Sequence, residues 1–278
     1  HRLMARHLEK VRDIARRLAL RLGVVGLLNI QFAIKDQVIY VIEANPRASR
    51  TVPFVSKSTG VPLAKIAARI MAGEKLADLH LPADDREFDY FCVKEAVMPF
   101  GRFPGSDVVL GPEMKSTGEV MGIASNFPAA FTKTQLAIDY EPPRGGEVFI
   151  SVNDGDKRNI TAIARSIARL GFSLVATTGT ARALRASGIE CEEVGKIHAG
   201  SHTILDRIAS GEIVLMINTP FGSSTNTDGY EMRAACVRHG VSYCTTLAGA
   251  QALIAGMEAV RETGLDVIAL QDLPQWEG

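Results

Sequence analysis

The sequence predicts an α/β protein in two parts, an antiparallel hairpin with helices followed by a doubly wound parallel sheet. Two observations carry this reading. In the second half short apolar runs alternate with helical patterns, GEVFISV before RNITAIARSIARLG and FSLVATTG before TARALRASG. That alternation builds a parallel sheet with helices on both faces. In the first half two β-branched runs flank Lys35-Asp36-Gln37, as in a hairpin. A length of 278 residues suits two domains.

The elements follow in order. Leu3, Met4, Leu8, Val11, Ile14, Ala15, Leu18 and Leu22 recur at helical spacing, and Gly23 is placed to end that helix. Its arginine-rich face is open to a transit-peptide reading, but Glu9 and Asp13 favour a solvated helix face. Because the chain opens inside this pattern, we expect it to be a piece of a longer protein. The hairpin comes next, with Lys35-Asp36-Gln37 as a three-residue loop and Ile34 paired with Val38. A helix is expected over 61–72. In 73–140, YFCVKEAVMPF reads as a strand and FPAAFTKTQLAI as a helix. Proline and glycine concentrate in EPPRGG, residues 141–146, the expected linker. IECEEV, HTILDRIASG, EIVLMIN, GYEMRAACVRHG and VSYCTTLAGAQALIAGMEAV then continue the alternation.

Bulk composition narrows function. Thirty-one basic residues balance 31 acidic ones, so no global field recruits nucleic acid or an acidic membrane. Cys92, Cys191, Cys236 and Cys244 form no CxxC and predict reduced thiols in the cytoplasm. No apolar run approaches the roughly 20 residues needed to span a bilayer. No Ser-His-Asp or Cys-His arrangement stands out.

The hairpin carries chemistry. In the expected register Asn29 lies opposite Glu43 with Gln31 diagonal on the same face. The other face is apolar through Leu28, Ile30, Phe32, Ile34, Val38, Tyr40 and Ile42. Glu43 offers charge, Gln31 and Asn45 neutral oxygens, a set suited to Mg2+ or Mn2+ shared with phosphates. Arg47 offers a fork for phosphate or carboxylate. The alternative is a polar strand edge with a solvated Glu43 and a turn-forming Asn45-Pro46.

IEANPRASRTVPFVSKSTGVPLAKIAARIMAGE closely resembles the end of the second ATP-grasp unit in carbamoyl phosphate synthetase large subunits. The resemblance runs on through VKEAVMPFGRFPG and LGPEMKSTGEVMG over nearly the whole chain. It implies that Gln31, Glu43 and Asn45 bind metal ions bridging the ATP phosphates, and that Arg47 lies beside the reacting phosphate and carbamate. It implies a partner glutaminase small subunit, the substrates ATP, bicarbonate and ammonia, and a place in pyrimidine and arginine synthesis. It also implies a divided chain: 1–72 as the C-terminal part of an ATP-grasp domain, 73–140 as its extension and connection, 141–146 as linker. Residues 147–278 would form a methylglyoxal-synthase-like allosteric domain. Because the glycine-rich loop and most adenine contacts lie elsewhere in the family, the piece alone is expected not to turn over ATP.

In open parallel sheets ligands settle at the carboxyl ends of the strands. There the sequence places Ser151 and Lys157, then Thr177-Thr178-Gly179-Thr180, Lys196, Asn218-Thr219 and Thr245-Thr246. ATTGTA before a helix suits a phosphate, through close backbone N–H groups and the helix N-terminus. Read singly it is also an ordinary threonine cap. The resemblance assigns Ser151, Lys157, Thr177, Thr180, Lys196, Asn218 and Thr219 to UMP or IMP. It assigns Glu95 and Thr245 to ornithine, and it implies an oligomer. The chain departs from the pattern at Pro220, which lacks an N–H, and in FGSSTNTDG, where Asp228 and Glu231 are spaced as a capping box. An acid expected near Tyr243-Cys244-Thr245 is not there. A true methylglyoxal synthase would need a poised acid; Asp154, Asp156 and Asp228 exist, but their surroundings do not resemble that enzyme's. A nucleotide-binding regulatory or oligomerisation module without catalysis is the competing reading.

Overall fold

A computed structural model describes residues 3–82, 87–102, 107–111, 113–195, 203–220 and 228–273. It divides into two compact units, residues 1–88 with 267–278, and residues 89–266.

In the first unit helix α1 runs Ala5–Arg21 and stops at Gly23, whose φ of 60° is left-handed. Strands β1 (Asn29–Lys35) and β2 (Val38–Asn45) follow as an antiparallel pair. The loop is two residues, not three: Lys35 pairs with Val38, and Asp36 and Gln37 take φ of 50° and 67°. Positive φ at both central residues is the turn whose twist matches paired strands. Gln37 is held there by Arg6, whose guanidinium donates to Gln37 Oε1 at 2.7 Å.

An irregularity beside Gln31 and Phe32 shifts the register by one more residue, so Phe32 pairs with Val41 but Gln31 with Glu43. The two corrections together move the expected partner of Glu43 from Asn29 to Gln31. Parity at the strand ends survives: Asn29, Gln31 and Glu43 share one face, as expected, and Asn45, paired with Asn29, joins them. Nearer the turn it does not. Tyr40 and Val38 fall opposite Ala33 and Lys35, leaving the apolar face, and Val41 and Ile39, opposite Phe32 and Ile34, take their place.

Helices α2 (Thr51–Thr59) and α3 (Leu63–Met71) follow. The first was not foreseen, because Pro53 breaks its pattern; in the first turn of a helix proline is tolerated, since its missing N–H has no partner to lose. The unit's core is small, built on Val61, Ile66 and Leu79. Val38, Tyr40, Val41 and Ile42 remain exposed on the hairpin.

The second unit opens with β3 (Phe91–Val97) paired antiparallel to β4 (Gly118–Ala124), the latter also missed from sequence. Helix α4 (Phe127–Ala137) is capped by Asn126, whose side chain accepts from the Ala129 N–H. Then come β5 (Glu147–Ser151), α5 (Ile160–Arg169), β6 (Ser173–Thr177), α6 (Thr178–Ala186), β7 (Glu192–Val194), α7 (Ile204–Ala209), β8 (Ile213–Asn218), α8 (Asp228–His239), β9 (Ser242–Cys244) and α9 (Leu247–Thr263). All five expected strands appear, parallel, in the order β7-β6-β5-β8-β9.

Strand alternation divides the core. Val148, Ile150, Leu215 and Ile217 face α5, α6 and α9, while Phe149 and Met216 face α7 and α8. Residues 141–146 are held to this unit: Arg261 on α9 donates to Arg144 O at 2.7 Å and to Leu170 O. Helix α4 packs on α9 at Gly256, where a Cβ would lie 2.3 Å from Thr132 Oγ1. The division between the two compact units falls before β3.

Candidate functional site

The first candidate is the end of the hairpin. Direct pairing sets Gln31 against Glu43 and Asn29 against Asn45, which puts cross-strand Cβ atoms about 4.5–5.5 Å apart. Asn45 Nδ2 donates to Glu43 Oε1 at 2.9 Å. Asn29, not singled out as a ligand, donates to Ser49 Oγ at 3.2 Å and so ties β1 to the segment that carries Arg47. Arg47 is exposed and donates to the Ala48 carbonyl at 3.1 Å. Gln31 and Glu43 are exposed too, Asn45 half-buried.

One carboxylate beside two amide oxygens is a hard-donor set, and it fits a magnesium-like ion whose remaining ligands are phosphate and water. Among the described residues no cluster of three His, Cys, Asp or Glu could hold a metal. A cation here would therefore depend on the amides and on its substrate.

The second candidate lies in the larger unit. Strand order reverses between β5 and β8, since β6 and β7 lie to one side of β5 and β8 and β9 to the other. The carboxyl ends at such a switch point leave a crevice. A cavity of about 320 Å³ occupies it, with Ser151, Thr177, Thr178, Gly179 and Asn218 among its lining. Phe149, Val194, Ile204 and Met232 supply an apolar wall that sequence reasoning missed, because such residues look like any core. Asp228 and Gly229 line it as well. The same Asp228 opens α8, with Glu231 in its first turn.

Gly179 has a specific reason. A Cβ there would sit 2.9 Å from Lys157 Nζ. The ammonium therefore lies over the N-terminus of α6 in the space a side chain would fill, and anion-binding charge is added to the helix end. Lys157 is paired with exposed Asp154, whose carboxyl it holds below the usual range by hydrogen bond and charge.

Two of the expected ligands are buried, with their hydroxyls bonded to the turn after β5. Thr180 is buried, its hydroxyl accepting from the Val152 N–H at 3.2 Å. Thr219 is buried and accepts from Asn153 N and Nδ2 at 3.1 and 3.0 Å. Both hold the turn after β5 in place. Thr177 and Ser151 hydroxyls are 3.4 Å apart. Thr178 donates to Glu193, lowering that carboxyl together with Arg185. Lys196 and the loop 221–227 lie outside the described residues.

Glu95 and Thr245 form a third place. Glu95 Oε2 accepts from Thr134 Oγ1 and Gln135 Nε2, both at 2.5 Å. The carboxylate stands near Cys244, the neighbour of Thr245; burial and then the Glu95 charge push that thiol up to about 12. Glu95 is thus already bonded within the unit.

The chain matches known proteins along almost its full length. Residues 1–79 match the family described as carbamoyl-phosphate synthase L chain, ATP binding domain, and residues 159–245 the MGS-like domain. It is 48% identical to the carbamoyl phosphate synthase large chain of Myxococcus xanthus, over 98% of this chain and 25% of that protein. The large chain of Methanothermobacter thermautotrophicus is 49% identical over 98% of this chain and 25% of its own length. That of Archaeoglobus fulgidus is 51% identical over 94% and 24%. The chain spans about a quarter of the length of these relatives. A solved structure, ForH, aligns with 43% of this chain and 80% of its own at 21% identity and a TM-score of 0.32, too slight a likeness to say anything of this fold. With an ATP-binding portion, an MGS-like domain and a match at 48–49% identity running across 98% of its length, the chain belongs to the carbamoyl phosphate synthase large-chain family.

Proposed function

We propose that this chain takes part in glutamine-dependent carbamoyl phosphate synthesis, in the cytoplasm, beside a glutaminase small subunit. Its hairpin is one wall of the ATP site that phosphorylates carbamate. Its strand-end cavity is a regulatory nucleotide site taking UMP or IMP. The observation that carries this is the direct pairing of Gln31 with Glu43, with Asn45 bonded to the same carboxylate, in the segment matched by the ATP-binding family.

Gln31, Glu43 and Asn45 would hold Mg2+ or Mn2+, which would supply positive charge to offset that of the phosphates. Around that ion the chain's own residues do the positioning. Glu43 brings the one full negative charge, and Asn45 orients it by donating to Oε1. Asn29 braces the strand against Ser49. Arg47, exposed at the end of the hairpin, offers a planar fork to a phosphate or to the carbamate carboxylate. Positioning and charge, with no nucleophile from the protein, are what phosphoryl transfer asks for.

In the second unit, Lys157 over the α6 N-terminus supports an anionic ligand, and the apolar wall suits a base. Glu95, bonded to Thr134 and Gln135, argues against a strong ornithine response.

The test is Glu43→Ala in the complete large chain with its small subunit. Carbamate phosphorylation should disappear while UMP or IMP still binds. Retention of ATP synthesis from carbamoyl phosphate and ADP, the reverse of carbamate phosphorylation, would overturn the assignment. A purely regulatory or oligomerisation module would show nucleotide binding and assembly, with Glu43→Ala silent.

A further inference from the structure

Arg233 on α8 is 3% exposed, and each of its three guanidinium nitrogens donates a hydrogen bond. Nε and Nη2 donate to the two oxygens of Asp107 at 2.8 and 2.6 Å, and Nη1 donates to Asn218 Oδ1 at 2.8 Å. Asn218 in turn donates from Nδ2 to the Ser151 carbonyl at 3.1 Å. Asp107 is 126 positions from Arg233 in the chain, and neither residue lines the strand-end cavity. Asn218 and Ser151 both do.

We propose that Asp107 and Arg233 are positioning residues for that cavity, acting through Asn218 to fix which end of its carboxamide meets the ligand.

A guanidinium only donates. Asn218 must therefore keep Oδ1 toward Arg233, and flipping it would set NH2 against NH. This turns the carboxamide donor to the Ser151 side of the cavity, ready for an acceptor on the ligand. Arg233 in turn needs Asp107, because a buried guanidinium without a carboxylate is strongly disfavoured. Asp107 is itself held by the Val109 N–H at 3.2 Å. The segment after β3 thus sets the ligand-facing chemistry of a site built from β5 and β8. By linkage, a ligand that engages Asn218 strengthens the hold on Asp107 to the same degree. The inference rests on the reading of the cavity as a nucleotide site for its ligand, but not for its geometry.

The experiment uses the 278-residue chain, 15N-labelled, with Asp107→Asn, Asn218→Ala and the double variant. Two quantities are read: affinity for UMP and IMP by calorimetry, and the Asn218 side-chain NH2 resonances with their exchange against water. Asp107→Asn should weaken binding about ten-fold and accelerate Asn218 NH2 exchange by a similar factor. In the Asn218→Ala background Asp107→Asn should change affinity less than two-fold. A merely structural pair would lower stability in both backgrounds without this non-additivity. A folded Asp107→Asn protein with unchanged Asn218 resonances overturns the proposal, as do equal affinity losses in the two backgrounds. If the unsubstituted chain binds neither nucleotide, the nucleotide reading fails, and the carboxamide resonances alone decide the positioning role. Should Asp107→Asn not fold, Arg233→Lys takes its place, since one ammonium cannot span Asp107 and Asn218 together.

Discussion

The hairpin end and the strand-end cavity are both polar clusters in apolar strands, yet they are built in opposite ways. At the hairpin Gln31, Glu43 and Arg47 are exposed, and the side chains of Glu43 and Arg47 bond to near neighbours in sequence, Asn45 and Ala48. Around the cavity Asn218, Thr219, Thr180 and Arg233 are buried, and the longest-range bond of each spans 28 to 126 positions along the chain. The difference teaches where each site keeps its binding energy. The hairpin presents donors on a two-stranded support and leaves coordination to be completed by an ion and its phosphates. The cavity is preorganised by desolvated hydrogen bonds, each expensive to break.

The largest test of this contrast is Arg233→Ala. It leaves Asp107 without its partner in a buried site and should cost about 3–5 kcal/mol, read as a lowered urea midpoint. Arg47→Ala at the hairpin should stay within about 0.5 kcal/mol. Equal losses would abolish the distinction.

Gly179→Ala comes next. The added Cβ displaces Lys157 Nζ, so UMP or IMP affinity should fall about ten-fold, equivalent to about 1.4 kcal/mol. Stability should hold or rise slightly, because alanine favours helix. Calorimetry and thermal unfolding on the same samples separate the two effects.

Acid should expose the buried network with a smaller effect. Burial raises the Asp107 carboxyl, but Arg233 and the Val109 and Val108 N–H groups more than offset it, holding it below its ordinary range. A depressed carboxyl contributes stability that is present above its unfolded value, about 3.9, and lost as pH falls through the lower folded one. The stability gap between the unsubstituted chain and Asp107→Asn should therefore shrink on going from pH 6 toward pH 2. A gap constant over that range would mean the charge of Asp107 contributes nothing. The smallest change is Gln37→Gly in the hairpin turn. It relieves a positive φ at the cost of an exposed bond to Arg6, for a net gain of about 0.5 kcal/mol.

Local pattern alone determined much of this protein. Five strands and their helices were readable from alternating apolar runs, because strand and helix periods impose themselves on any chain that buries one face. The face shared by Asn29, Gln31 and Glu43 was readable too, since side chains in a strand alternate. Ser151, Thr177, Gly179 and Asn218 could be placed together because parallel strands bring their carboxyl ends to one edge.

Tertiary structure decided the rest. The hairpin register depended on two left-handed residues, Asp36 and Gln37, and on an irregularity at Gln31, none of which composition encodes. Thr180 and Thr219, read from sequence as ligands, lie buried with their hydroxyls accepting from the backbone N–H groups of Val152 and Asn153, because buried donors must find acceptors. Arg233 was invisible in a helix of ordinary composition. Its role follows only from meeting Asp107 and Asn218 at once, a contact between distant parts of the chain that spacing along the sequence cannot express.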